Sequence, residues 1–559
     1  MINLSRLSRV VAGVAAPVAA LAVLVPGTAA VAAGGHSAPG RAVHRFAGAR
    51  PVVGPPVGPA KPAREAPDLT RGQASPWEQL KHAPAFHPGT MLLASDGTAL
   101  VHAERPTGGT SAWYRLTPAS NGSYVDGTWS KLASMPGGYD PLYLASAILP
   151  SGQMIVEGGE YLGGDPVFTN KGAIYNPVAN RWRPVAPPAG WTNIGDAQSD
   201  VLANGTFLLS HECLNCTSSN PLLTTGDAIF NSTGRNWLVI PGQGKNDPNI
   251  EEGWTLQQNG QVLTVDNFLT PTTELFTPAS LSWSFAGNTV RSPVNTPSFE
   301  IGPQVEMPNG NTFVVGAGTS TDIAPAKCTT SKPAPTALYN AAARQWVKGP
   351  SIPTIGGLQY DSADGPGTIL PDGNVLFDVS PCVYNAPLAF FLYNSGSKTL
   401  SPVPDVPNAA NDSTYYTRLL ALPNGQILFN DGSHHMLVYT AGGTPNPAWA
   451  PSISGISSFS FTPGKSGSLS GTQLAGLDPG AAYGDDVQDN TNFPLVRITN
   501  DKSGVVTYAR TSSWANVSIA PGASSSTKFS IPGTTPAGAS TLVVVANGIA
   551  SSPVPVTIR

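Results

Sequence analysis

Short apolar segments alternate with polar turns along most of the chain, and seven of these turns share one form. Each ends in glycine preceded by Asp, Asn or Ser, and the seven glycines are Gly97, Gly152, Gly205, Gly260, Gly310, Gly373 and Gly425. Glycine accepts the positive φ of a tight hairpin, so each turn predicts a pair of antiparallel strands. Successive glycines lie 50 to 63 residues apart, which indicates an internal repeat.

Two more strands follow each hairpin in the pattern. A third strand ends near an aromatic-Asn/Thr-Pro corner, as at 174–177 and 275–278. A fourth strand carries a tryptophan in five repeats: Trp129, Trp182, Trp237, Trp283 and Trp346. Four strands in about 50 residues are typical of a kelch blade. The sequence therefore predicts an all-β fold with a seven-bladed kelch-type β-propeller at 75–451.

The two ends of the repeat region predict how the ring closes. Trp77 begins a segment that resembles the fourth strands, yet it precedes the first hairpin. The last repeat reaches a third strand at 436–440 and has no such tryptophan afterwards. We expect the segment at Trp77 to complete the last blade, so that no sheet edge stays open.

The segments outside the repeats differ in composition. Residues 452–559 contain alternating strands separated by Ser/Gly/Pro turns and predict an immunoglobulin-like β-sandwich. Residues 34–74 are rich in Pro, Ala and Gly and predict a linker. Residues 1–33 combine two arginines, an apolar run and an Ala-rich cleavage region, which predicts a signal peptide. We expect a secreted monomer with no membrane span.

The amino-acid composition and net charge limit the kinds of molecule that the protein is expected to bind. Only 11% of the residues are charged, against about 25% in typical soluble domains. The formal net charge is -4, and no basic stripe indicates nucleic-acid binding.

Four cysteines in an exported chain predict disulfides. Cys213 and Cys216 are close enough to pair locally, which leaves Cys328 with Cys382. Zinc at this C-x-x-C, with His211 upstream, is the alternative, but no second ligand pair follows at finger spacing.

Seven kelch repeats followed by a sandwich resemble the galactose oxidase and glyoxal oxidase family. The segments 471–474 and 492–496 resemble that family's C-terminal early-set domain. The resemblance implies a site on the propeller axis, where copper is held by two tyrosines and two histidines and one tyrosine is bonded to a cysteine.

The copper ligands of that family are not retained here. Counting nine residues back from the turn glycines places Tyr143 at the cysteine position, Asp196 at the crosslinked tyrosine position and Tyr415–Tyr416 at the tyrosine–histidine pair. The histidine from the sandwich falls near 483–485, which contains none. Because copper favours imidazole nitrogen, we expect no copper site.

Acidic residues lie instead at the corresponding positions, about nine residues before the turn glycines, which we expect at one end of the propeller axis. The candidate catalytic residues are Asp196, Glu251, Glu252, Glu300 and Asp364. Candidate substrate-binding residues are Tyr143, Trp191, His211, Trp254, Tyr415, Tyr416 and His434. Converging carboxylates could bind calcium, act as an acid–base pair on a glycosidic bond, or be satisfied separately by backbone amides.

These patterns favour a secreted carbohydrate-active protein that cleaves a glycan, such as a cell-wall glycan, with paired carboxylates. One alternative is a propeller that binds glycan without turnover. The other is an oxidase of the galactose oxidase type with an altered metal site.

Overall fold

The computed structural model describes residues 67–105, 108–216, 222–319, 332–483 and 490–559, all of which belong to one compact unit. These residues form 42 β-strands and three short 3₁₀ helices, at Ala409–Asn411, Thr414–Tyr416 and Pro447–Trp449. The prediction of an all-β chain is confirmed. The predicted signal peptide and most of the predicted linker, up to residue 66, lie outside the described residues. No described helix has the length and apolarity that crossing a membrane requires.

Seven antiparallel sheets each contain a run of four hydrogen-bonded strands, and the sixth also pairs with two further short strands. Sheet 1 contains β2 (Pro88–Leu93), β3 (Ala99–Arg105), β4 (Gly108–Thr117) and β5 (Thr128–Lys131). Sheet 2 contains β7 (Ala145–Ile148), β8 (Met154–Glu157), β11 (Gly172–Asn176) and β12 (Arg181–Val185). Sheet 3 contains β13 (Ser199–Val201), β14 (Phe207–Ser210), β15 (Asp227–Asn231) and β16 (Asn236–Ile240).

The next three sheets repeat this order. Sheet 4 contains β17 (Trp254–Leu256), β18 (Val262–Val265), β19 (Thr272–Thr277) and β20 (Ser282–Asn288). Sheet 5 contains β21 (Gln304–Glu306), β22 (Asn311–Val315), β23 (Thr336–Asn340) and β24 (Gln345–Lys348). Sheet 6 contains β26 (Pro366–Ile369), β27 (Val375–Pro381), β28 (Ala389–Asn394) and β29 (Thr399–Val403).

Sheet 7 joins the two ends of the repeat region. It contains β30 (Arg418–Ala421), β31 (Ile427–Asn430), β32 (Leu437–Tyr439) and the early strand β1 (Trp77–Gln79). β1 pairs antiparallel with β32, with Trp77 opposite Tyr439. The fourth strand of the last sheet therefore comes from the N-terminal side, as its tryptophan predicts.

The first strands of the seven sheets form a closed ring. Each first strand contacts the first strand of the next sheet, and β30 of sheet 7 contacts β2 of sheet 1. The hairpin after each first strand turns at a predicted glycine, and these seven glycines have φ between 72° and 84°. Glycine adopts this left-handed conformation without the steric cost that a side chain would add.

Tryptophans in the fourth strands join six of the seven sheets to the sheet before, and the fourth strand of sheet 6, β29, has no tryptophan. Their indole Nε1 atoms donate hydrogen bonds of 2.7–2.9 Å: Trp77 to Pro404 O, Trp129 to His82 O, Trp182 to Ala133 O, Trp237 to Ala186 O, Trp283 to Asp227 Oδ2 and Trp346 to Thr273 Oγ1. The recurrence of tryptophan thus has a structural cause, since each indole satisfies its N–H on a neighbouring sheet.

The C-terminal strands form a separate sheet assembly with its own apolar core. Its strands are β33 (Ser452–Ile456), β34 (Ser460–Phe461), β35 (Ser466–Thr472), β37 (Leu495–Asn500), β38 (Val506–Ser512), β39 (Ser524–Ser530), β40 (Gly538–Ala546), β41 (Ile549–Ala550) and β42 (Val554–Ile558). Phe461, Val496, Phe529 and Val544 are among the buried residues of its core.

One strand of the C-terminal region joins the ring. β36 (Ala481–Tyr483) pairs antiparallel with β26 and also contacts β21 and β30. The C-terminal region therefore inserts a segment among the first strands of sheets 5, 6 and 7.

Four further short strands lie outside the seven four-stranded sheets. They are β6 (Pro141–Leu142), β9 (Tyr161–Leu162) and β10 (Asp165–Pro166), which form a small sheet, and β25 (Tyr360–Asp361), which pairs with β27.

The contribution of β1 to sheet 7 can be tested by truncating Trp77. The Trp77 ring packs against Phe390, Phe429 and Tyr439, with centroids 4.9, 5.4 and 5.0 Å away. We expect Trp77→Ala to lower the free energy of unfolding by about 3–5 kcal/mol, because it removes a buried indole and leaves a cavity. Chemical denaturation measures this change.

Val178→Ala is the matched control for this experiment. Val178 is 66% exposed, so its truncation should change the free energy of unfolding by less than about 0.5 kcal/mol. Equal effects of the two substitutions would contradict the role of Trp77 in closing the ring.

Candidate functional site

The chain makes a left-handed turn just before several first strands of the ring. Tyr143, Glu251, Phe299 and Asp364 have φ of 52°, 51°, 66° and 49°. A non-glycine residue rarely adopts this conformation, which costs on the order of 1–3 kcal/mol and recurs at functional sites. Because these turns lie at equivalent places in neighbouring sheets, the side chains at and beside them meet at one end of the ring.

Three of the predicted acidic residues come together there. One carboxylate oxygen from each of Glu251, Glu300 and Asp364 lies within 4.8 Å of the other two. Glu300 is 2% exposed and Glu251 is 9% exposed, whereas Asp364 is more open to solvent. We call these three residues the carboxylate cluster. Like charges this close repel unless a proton or a cation lies between them.

Tyr384 connects the carboxylate cluster to a group of tyrosines. Its hydroxyl donates a hydrogen bond to Glu300 Oε1, and its ring meets the Tyr415 ring edge-on with centroids 5.3 Å apart. Burial, together with the negative charges of Glu300 and Asp364, raises the pKa of Tyr384 well above its ordinary value. Tyr384 therefore remains a protonated donor at neutral pH.

A pocket lies beside this cluster. Tyr415, which contacts Tyr384, also lines this pocket. Its empty volume is about 320 Å³, open solvent included. Its lining residues are His87, Pro88, Glu104, Leu142, Tyr143, Tyr415, Tyr416, Arg418 and Gly432. We call it the tyrosine pocket. It brings together three predicted substrate-binding residues, Tyr143, Tyr415 and Tyr416.

Glu104, which is partly buried and close to His102, also lines the tyrosine pocket. Glu104 Oε1 accepts a 2.9 Å hydrogen bond from the Thr90 amide and lies 3.4 Å from His102 Nδ1. Burial alone would raise the pKa of Glu104, but the hydrogen bond from His102 and the charges of His102 and Arg418 outweigh it and lower the pKa. Glu104 is therefore a carboxylate at neutral pH.

Arg418 reaches the same pocket from the first strand of sheet 7. Its guanidinium donates to Tyr415 O at 3.0 Å and Thr417 O at 2.8 Å, and lies 5.9 Å from the centre of the Tyr143 ring. This arrangement fixes a cation over an aromatic face, which holds both side chains in place.

Glu252 and Trp254 lie in the interior and not in the carboxylate cluster. Glu252 Oε1 is 2.8 Å from Lys245 Nζ, and Glu252 Oε2 accepts from Trp254 Nε1 at 3.2 Å. Trp254 is 1% exposed and packs against Trp283. Glu251 lies in the left-handed turn before β17, so its side chain and that of Glu252 point in different directions. Glu251 meets the cluster, whereas Glu252 meets the buried lysine.

Trp191 and His211 stack on each other and do not join the carboxylate cluster. Their ring centroids are 4.1 Å apart, and both residues are buried. Burial lowers the pKa of His211 to about 4, so its imidazole is neutral at neutral pH. The pair provides packing beneath the turn that leads to Asp196.

Asp196 and His434 lie near the tyrosines but outside the carboxylate cluster. Burial raises the pKa of Tyr161, and the charges of Glu160 and Asp196 raise it further. His434 is exposed, and its ring lies 4.6 Å from the ring of His87, which lines the tyrosine pocket. Its Nδ1 interacts with Pro84 O at 3.0 Å.

The cysteines at 213 and 216 form a disulfide, as predicted. Cys382 is also disulfide-bonded, and its predicted partner, Cys328, lies outside the described residues. Glu212 lies beside the two sulfurs of the first pair. Because a bonded sulfur is not a thiolate, this group does not offer zinc two cysteine ligands.

Sequence reasoning missed Tyr384, Glu104 and Arg418. Tyr384 lies in the loop between the second and third strands of sheet 6. Attention to tyrosine as well as to acids would have found it. Glu104 and Arg418 lie within strands of sheets 1 and 7, and their meeting depends on the packing between those sheets.

Comparisons with known proteins give no family assignment. No family model and no curated protein matches the chain. A solved structure described as a novel fungal alcohol oxidase with catalytic diversity among the AA5 family, in complex with copper, is 13% identical with a TM-score of 0.48. That match covers 87% of this chain and 99% of the other.

A second solved structure, that of YjhT, is 17% identical with a TM-score of 0.39 and covers 59% of this chain and 100% of its own. Because both TM-scores are below 0.5, neither match indicates a function for this chain.

The repulsion within the carboxylate cluster is measurable. We expect Asp364→Asn to raise the free energy of unfolding by about 0.5–2 kcal/mol at pH 7.5 in the presence of a chelator, because it removes one of three converging charges. Chemical denaturation of the variant and the wild type gives the difference.

Asp165→Asn removes an exposed carboxylate as the control and should leave the free energy of unfolding almost unchanged. A destabilised Asp364→Asn variant would mean that hydrogen bonds to Asp364 outweigh the repulsion.

Proposed function

We propose that the chain is a secreted carbohydrate-active protein whose carboxylate cluster cleaves a glycan. We further propose that the seven sheets are blades of a kelch-type β-propeller at 75–451 and that 452–559 is an immunoglobulin-like sandwich. The closed ring of first strands supports the propeller. The disulfide between Cys213 and Cys216 supports export to an oxidising compartment.

The observation that carries the catalytic proposal is the approach of three carboxylates within 4.8 Å. Retaining glycosidases place their two carboxyl groups about 5–5.5 Å apart, and inverting enzymes place them farther apart to admit water. The spacing here favours the retaining arrangement. Two carboxyl groups at this distance can reach the anomeric carbon and the glycosidic oxygen of one bond.

Glu300 suits the role of nucleophile. It accepts the hydrogen bond of Tyr384, and an ionised carboxylate offers only acceptors. In the first step Glu300 bonds to the anomeric carbon while Asp364 or Glu251 gives its proton to the leaving oxygen. In the second step the same acid, now a base, takes a proton from water as water displaces Glu300.

The tyrosine pocket supports a sugar as the substrate class. Tyr416 is half-buried and offers an aromatic face to the apolar side of a sugar ring, while the buried Tyr415 packs edge-on against it with ring centroids 5.9 Å apart. Glu104 and Arg418 add an acceptor and a donor for hydroxyl groups. The same pocket favours the second candidate function, glycan binding without turnover, if the cluster only holds a cation.

Copper chemistry is not part of the proposal, because the donors at the pocket do not fit that metal. The lining residues include one imidazole, that of His87, whose Nδ1 interacts with Gly432 O at 2.9 Å. Tyr415 and Tyr416 stand where the related oxidases have a tyrosine and a histidine, and copper favours imidazole nitrogen. We derive no step through copper.

Release of reducing ends from a panel of soluble and cell-wall glycans tests the proposal. We expect wild type to release them and Glu300→Gln to lose at least about 100-fold in rate, because the amide cannot act as nucleophile. Binding of the same glycan, measured by affinity electrophoresis, should change little, and Asp165→Asn should match wild type.

Three other outcomes would overturn glycan cleavage. Unchanged turnover in Glu300→Gln would exclude the cluster as the catalytic site. Binding without release by the wild type would favour the binding module. Stoichiometric copper with peroxide production would favour the oxidase.

A further inference from the structure

A second cavity lies inside the ring, away from the tyrosine pocket. Its empty volume is about 230 Å³, open solvent included, and it is lined by the first strands β13, β17 and β21 on one side and by the inserted segment 479–482 on the other. Asp200, Gln304 and Glu306 face it from the ring, and Asn490 faces it from the C-terminal region. We call it the axial cavity.

Gln304 supplies an acceptor in the axial cavity that the described residues leave unused. The side chain is 2% exposed, and its Nε2 donates to Gly253 O at 2.5 Å, which fixes the orientation of the amide. No described residue donates a hydrogen bond to Gln304 Oε1. A buried amide oxygen without a donor is costly, so it indicates a ligand that carries positive charge or a donor.

Two buried carboxyl groups flank this acceptor. Asp200 Oδ1 accepts from Asn490 Nδ2 at 2.7 Å and from the Val201 amide at 2.7 Å. Glu306 Oε2 accepts from Thr312 Oγ1 at 2.7 Å and from Gln257 Nε2 at 3.1 Å. Each carboxylate oxygen can accept more than one interaction, so both groups retain capacity for a cation.

The surroundings of these carboxyl groups lack a balancing positive charge. Lys and Arg do not occur among the described lining residues. A bound cation would supply the missing charge.

We propose that the axial cavity binds one hard cation of the calcium class through oxygens of Asp200, Gln304 and Glu306, with water completing the coordination shell. Hard cations prefer carboxylate and amide oxygens, and calcium tolerates irregular geometry and mixed water ligands. Extracellular modules bind calcium at about 10⁻⁴–10⁻³ M, which suits a site with few protein ligands.

The ion would lie beside the contact between the C-terminal region and the ring. Asn490 already links the C-terminal region to Asp200, and the neighbouring strand β36 pairs with β26, whose first residue lies two positions after Asp364. This proposal is independent of glycan cleavage, because the axial cavity and the carboxylate cluster share no residue.

Calcium titration of the whole secreted chain, first treated with EGTA, tests the proposal. We expect isothermal titration to find a site of millimolar or tighter affinity and 1 mM Ca²⁺ to raise Tm by about 2 °C or more. Asp200→Asn and Glu306→Gln should each weaken this affinity at least about tenfold, because each removes a charge from the ligand set.

Two control variants separate the axial cavity from other acidic sites. Asp361→Asn changes an equally buried carboxyl group elsewhere, and Asp364→Asn disrupts the carboxylate cluster. Both should keep the response assigned to the axial cavity. Absence of calcium binding in wild type, or an unchanged response in Asp200→Asn, would overturn the proposal and mean that the cavity holds water only. Neither outcome bears on the release of reducing ends.

Discussion

The packing of seven first strands against one another is the constraint on which the rest of the structure depends. Each of these strands contacts two neighbours, the ring closes where β30 contacts β2, and β1 completes sheet 7 as its fourth strand. Closure leaves little space at the centre, so residues at equivalent positions of different sheets must meet. The convergence of Glu251, Glu300 and Asp364 is a consequence of this geometry and of the left-handed turns that precede the strands.

The same constraint places many polar groups out of water, and the chain balances them in two ways. At Lys245 the balance is internal, since the ammonium group lies 2.8 Å from Glu252 and 3.1 Å from Glu274 with the Trp283 ring 4.8 Å away. At the carboxylate cluster, one carboxylate oxygen from each of the three acids lies within 4.8 Å of the others, and Tyr384 donates a hydrogen bond to Glu300. The first group is a buried ion pair, and the second is the group for which we propose catalysis.

The sheets can be predicted from the sequence because each strand and turn is specified by residues within its own repeat. A turn glycine needs positive φ, and a fourth-strand tryptophan needs a partner for its indole N–H, so both recur with the repeat. Counting about nine residues back from the turn glycines also identifies Glu251, Glu300 and Asp364, which lie close together in the structure. It fails for Glu252, because a count accurate to one residue cannot say which of two adjacent acids faces the axis.

The remaining site residues depend on contacts between sheets. Glu104 fits only because Gly89 lacks a side chain, since a Cβ on Gly89 would lie 1.7 Å from Glu104 Cδ. No periodicity encodes that pairing. Tyr384 likewise reaches Glu300 across 84 positions of sequence. Such contacts become visible only when the ring is assembled.

A crystal structure of Glu300→Gln with a bound oligosaccharide tests the central claim most directly. We expect a sugar ring against Tyr416, with its glycosidic oxygen between position 300 and Asp364 or Glu251. An oligosaccharide bound on another face of the ring, with the carboxylate cluster unoccupied by sugar, would contradict it.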